Sequence, residues 1–110
     1  MADEGAAVTS ITSRVTSDGV MHVFSGTSTG TMSETYVGGG NALTNATMAH
    51  VGSSILSITA QKTPDGVMHV YTGLENGGID ETCWGGGNSL TTSALATLGS
   101  TVITLGCTYT

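Results

Sequence analysis

The chain has 110 residues, enough for one small domain and not for two. Ten residues are charged, eight acidic and two basic, for a formal net charge of −6. This excludes nucleic acid, whose phosphates demand a Lys/Arg footprint, and disfavours anionic membrane surfaces.

Thr, Gly and Ser supply 49 of the 110 residues, while hydrophobic residues reach 38%. Low charge with that apolar content separates the chain from disordered sequences. Thr, Ser, Val and Gly with a single Pro point to β-structure linked by glycine turns. No apolar run approaches the roughly 20 residues of a membrane span, and no charged segment leads into an apolar one at the start. The expectation is a soluble protein without membrane insertion, its compartment left open. Cys83 and Cys107 allow one disulfide but no disulfide framework, and no Cys/His spacing resembles a zinc site, so neither metal nor cofactor is expected.

A repeat organises everything else. Asp18-Gly19-Val20-Met21-His22-Val23 returns as Asp65-Gly66-Val67-Met68-His69-Val70, a shift of 47 that runs without a gap. Glu34-Thr35 returns as Glu81-Thr82, and Gly38-Gly39-Gly40-Asn41 as Gly85-Gly86-Gly87-Asn88. Residues 16–62 and 63–109 are identical at 20 of 47 positions. The chain reads as a single domain, 1–110, of two tandem repeats (about 4–50 and 51–97) plus a partial third, 98–110.

Turn signals about every 8–12 residues mark short antiparallel strands. In chain order these are expected at 8–16, 20–26, 31–37 and 42–48, then at 55–63, 67–73, 78–84 and 89–95. Residues 98–110 align with the first strand of each repeat and offer one surplus strand. A short helix at Ala94 to Leu98 is the alternative, and its counterpart in the first repeat, with Thr47 and His50, argues against it. The first turn of each repeat carries Asp-Gly, in which both residues tolerate φ > 0. In the second strand Met21 and Val23 point one way and Val20, His22 and Phe24 the other.

Four strands in 40–50 residues is the size of a β-propeller blade, and two blades cannot close a ring. The expected architecture is therefore all-β, a β-propeller assembled from oligomerised two-blade chains, with a homo-oligomeric trimer of six blades favoured. The surplus strand would complete a sheet in the adjacent subunit and cover an edge. A single β-sandwich of nine short strands is the alternative.

Met68-His69-Val70-Tyr71 and Gly78-Ile79-Asp80-Glu81-Thr82-Cys83-Trp84-Gly85-Gly86 resemble the blade of the small tandem-repeat β-propeller lectins. These include fucose-binding lectins whose two-blade chains trimerise into six-bladed rings. The rhythm of Asp18, Gly19, Val23 and Phe24 is also similar to seven-bladed bacterial propeller lectins. The resemblance implies glycan sites in clefts between blades. Glu34 and Glu81 match the family's sugar-binding Glu, and His22 and His69 stand in its Arg position. Trp84, with Tyr36 in the first repeat, matches an aromatic that stacks on the sugar, while Leu43 and Leu90 replace a second Trp.

Read from the residues, the His/Glu pairs sit on neighbouring strands and on one face, where a carboxylate accepts sugar hydroxyls and an imidazole donates. The rival reading is an internal His–Glu hydrogen bond. Tyr36 and Trp84 serve either sugar stacking or packing between sheets. Asn41 and Asn88 either present amides to hydroxyls or close plain turns. Asp80 and Glu81 are sequence neighbours that face opposite sides of a strand, so they cannot flank one glycosidic bond, and no Gly-x-Ser-x-Gly elbow occurs. The expected function is a multivalent, non-catalytic, carbohydrate-binding protein that takes glycans or glycoconjugates. The alternative is a propeller-type scaffold that binds a protein or peptide without sugar recognition.

Overall fold

The computed structural model describes residues 6–102 and 105–106. The chain is all-β. Its strands are β1 (Val8–Val15), β2 (Val20–Thr27), β3 (Thr31–Gly38), β4 (Asn41–His50), β5 (Ile55–Lys62), β6 (Val67–Leu74), β7 (Gly78–Gly85) and β8 (Asn88–Thr97). They form two four-stranded antiparallel sheets, β1-β2-β3-β4 and β5-β6-β7-β8. Each sheet is one repeat, and among the described residues no strand crosses between them. Strand ends agree with the sequence reading to within a few residues, and the 94–98 segment lies almost wholly in β8 rather than in a helix.

The turns differ from the expectation in one respect. Among the described residues only glycines take positive φ, so Asp18 does not share the left-handed conformation with Gly19. The Gly19 amide instead donates to the Thr16 carbonyl at 2.9 Å, and the Thr16 amide to the Val20 carbonyl at 3.0 Å. This is a three-residue loop with a left-handed glycine, in which Asp18 works through its side chain. Its Oδ1 accepts from the Thr16 hydroxyl and from the Val20 amide. Thr63, Asp65 and Val67 repeat the arrangement, with Pro64 at the turn position that favours its fixed φ.

The sheets stack face to face, with β1 and β2 lying against β5. The buried core sits between them, built from Phe24, Met32 and Ala49 of the first sheet and Ile55, Ile58, Met68, Val70 and Leu74 of the second. Gly26 permits this contact. A Cβ there would lie 2.7 Å from the Ile55 Cβ, closer than carbon atoms can approach.

Equivalent residues of the two repeats therefore live in different surroundings. Ile58 is 7% exposed and its counterpart Ile11 65%; Met68 is 4% exposed and Met21 39%. The sequence positions match, but the first sheet covers the second and nothing described covers the first sheet's far side. Past β8, the Leu98 amide donates to the Gly77 carbonyl at 2.7 Å and the Val102 amide to the Leu74 carbonyl at 3.1 Å. Val102 lies against Gly73 as Ile55 lies against Gly26. The chain thus begins to repeat the β5 packing a second time, on the second sheet. The rest of the expected surplus strand, with Cys107 and any bridge to Cys83, lies largely outside the described residues.

Candidate functional site

Antiparallel register builds the site. His22 pairs with Tyr36 and Phe24 with Glu34 across β2 and β3. Strand alternation then sets His22, Phe24, Glu34 and Tyr36 on one face. His22 Nδ1 lies 2.5 Å from Glu34 Oε2, and His22 Nε2 lies 3.2 Å from Thr16 Oγ1. With the Thr16–Asp18 contact this makes a continuous chain, Asp18–Thr16–His22–Glu34. The second repeat reproduces it: His69 Nδ1 is 2.6 Å from Glu81 Oε2, and His69 Nε2 is 3.2 Å from Thr63 Oγ1.

Both Asp side chains titrate below their ordinary range. The Thr16 hydroxyl, then the Val20 amide, holds Asp18 down; Thr63 and Val67 do the same for Asp65. Burial pushes Asp80 the other way, upward.

The second sheet closes the first sheet's site. Trp84 sits opposite Met68 on the inner face of that sheet and meets Phe24 edge-on, with centroids 5.7 Å apart at 62°. Asp18, Val20, His22, Glu34, Tyr36, Asn41 and Trp84 line one cleft of about 320 Å³. His22 stacks parallel to Phe24 at 6.3 Å and tilts toward Tyr36 at 6.4 Å. Glu34 is buried, and its Oε2 meets His22 Nδ1. Its carboxylate also lines the cleft.

Of the residues singled out in the sequence, His22, Glu34, Tyr36, Asn41 and Trp84 thus converge, although Trp84 comes from the other repeat. His69, Glu81 and Asn88 form a second group on the outward face of the second sheet, where Cys83 takes the place of Tyr36. Trp84 faces away from that group, since it alternates with Cys83 along β7. The aromatics of two separate repeats therefore serve one cleft. Both Asn side chains close their turns: Asn41 Nδ2 donates to the Gly38 carbonyl and Asn88 Nδ2 to the Gly85 carbonyl, each at 3.1 Å.

Thr16, Thr63, Asp18 and Asp65 are members of the network that motif reading alone does not place in the site. Their signal is present in the sequence, because Thr-x-Asp-Gly-Val-Met-His is retained in both repeats. Among the described residues no three His, Cys, Asp or Glu side chains converge as a metal site would require, and no helix is long and apolar enough to cross a membrane. In comparisons with known proteins, no family model, no curated protein and no solved structure matches the chain.

Proposed function

We propose that this chain is a multivalent, non-catalytic carbohydrate-binding protein, with its principal site in the cleft between the two sheets. One observation carries the reading: the Glu34 carboxylate lines a cleft whose walls include Tyr36 and Trp84. A carboxylate accepts charge-assisted hydrogen bonds from sugar hydroxyls, and an aromatic face covers the apolar C–H side of a pyranose. His22 holds Glu34 in place, and Thr16 and Asp18 hold His22.

Assembly belongs to the same proposal. The first sheet's far side leaves Val8, Ile11 and Met21 exposed, at positions whose counterparts Ile55, Ile58 and Met68 are buried, and leaves Val15 exposed beside them. A second copy that stacked its second sheet there would bury them as the first sheet buries their counterparts. It would also give the His69/Glu81 group a facing wall, with Val37 where the first cleft has Trp84. A ring of three chains, six sheets in all, is the propeller favoured. Several weak sites on one ring raise avidity on a glycan surface by about 10²–10⁴.

The internally satisfied His–Glu pairs favour the second reading, a scaffold for a protein or peptide partner. A glycan-array screen separates the two. We expect binding that one free monosaccharide competes away and that Glu34→Ala with Glu81→Ala abolishes. Trp84 is the only tryptophan, so its emission should shift as that sugar saturates the cleft. A blank array with intact, folded protein would refute the lectin reading and leave the scaffold.

A further inference from the structure

A second cleft, of about 440 Å³, opens at the same end of the molecule, between the ends of β1 and β5 and the turns that follow them. It is lined by Arg14, Val15, Thr16, Ser17, Lys62, Thr63, Pro64 and Gly66. Arg14 and Lys62 are the only two basic residues in the whole chain. A protein of net charge −6 thus places every Arg and Lys it has at one cleft.

The repeat does not account for this placement. Arg14 aligns with Gln61, and Lys62 aligns with Val15. The two come together only because β1 lies against β5. Among the described residues the ion pairs are His22–Glu34 and His69–Glu81, and neither Arg14 nor Lys62 joins a carboxylate. Asp18 is near enough for Lys62 to lower its pKa slightly, but its Oδ1 is already engaged by Thr16 and Val20. Both cations are half-buried and line the cleft, and among the described residues no hydrogen bond or ion pair engages either side chain. Ser17 adds an exposed hydroxyl at the rim.

We infer that the Arg14–Lys62 cleft is an oxoanion subsite that takes a carboxylate or sulfate group, either free or carried by a sugar. Arg presents a planar fork that matches two oxygens of such a group, and Lys supplies a compact second charge. The site stands apart from the His22–Glu34 cleft and does not require a sugar to occupy it. Thr16 lines this cleft and also contacts His22, so an acidic substituent here and a sugar ring there would lie side by side.

The test is a titration of the full chain followed by backbone amide NMR. Sodium sulfate is compared with sodium chloride at matched ionic strength, which removes non-specific screening. Saturable shifts confined to residues around 14–17 and 62–66, with sulfate and not with chloride, are expected. Arg14→Ala or Lys62→Ala should weaken the response by about tenfold or more; Lys62→Arg should retain most of it, and Arg14→Lys, which keeps the charge but loses the fork, should fall between. Methyl glucuronide against methyl glucoside then identifies the source. Binding of the glucuronide alone assigns a sugar-borne carboxylate, and sulfate binding without it assigns a free anion. A response equal to that of chloride, or one that survives loss of both cations in a folded protein, overturns the inference.

Discussion

Ile11 and Ile58 are one residue type at one repeat position, and they differ only in what covers them. Truncating each to Ala removes the same carbons, worth about 2.4 kcal/mol of transfer at roughly 0.8 kcal/mol per carbon. Ile58 is 7% exposed within the core between the sheets, so its loss also leaves a cavity and should cost about 3–4 kcal/mol. Ile11 is 65% exposed, so within a single chain its truncation should cost below about 1 kcal/mol. Assembly changes the second value alone. If another copy stacks on the first sheet, Ile11→Ala weakens association, which appears as a concentration-dependent unfolding midpoint and a lighter species in sedimentation. Urea unfolding at several protein concentrations, with sedimentation velocity in parallel, measures both. An Ile58→Ala cost within about 0.5 kcal/mol of zero would refute the packing of the sheets. A wild-type protein that sediments as a monomer at every concentration would refute the ring.

Three further outcomes are expected. Gly26→Ala drives a methyl group into Ile55 and should destabilise by about 1–3 kcal/mol; Ile55→Ala in the same chain should recover part of that loss, so denaturation of the double variant checks the contact. Glu34→Ala strips a buried partner from His22 and should cost about 1–3 kcal/mol, with Glu81→Ala costing less because its pair is more exposed; equal losses in thermal unfolding would contradict the difference in burial. Asp18 and Asp65 have folded pKa values below the ordinary 3.8, so their stabilising contribution is complete above that value and fades as the pH falls through the lowered one. Asp80, raised by burial, acts in the opposite sense, favouring the fold at low pH and losing that contribution as pH rises through its folded pKa. Carboxyl titration by NMR should find Asp18 and Asp65 below, and Asp80 above, an exposed Asp.

Local chemistry makes most of the fold legible in the sequence. The 47-residue period, Asp-Gly and triple-glycine turns, and alternation of side chains along a strand depend on neighbours a few residues away. The same locality places His22 and Glu34 on one face, because they sit on strands joined by a short turn. It also explains the two Asp-Gly turns that depart from expectation, since Asp18 and Asp65 tolerate a left-handed backbone but gain more from accepting the Thr16 and Val20, or Thr63 and Val67, donors.

What the sequence cannot decide is which sheet covers which. Register within a repeat is set by alternation and turn length, whereas stacking joins residues as far apart as Gly26 and Ile55 or Phe24 and Trp84, with no pattern linking them. That Trp84 closes the cleft of the other repeat, that Ile58 is buried while Ile11 is open, and that Arg14 and Lys62 meet at one cleft all follow from the first sheet lying against the second. Identical local sequences are thereby given different surroundings, and only packing of the whole chain distinguishes them.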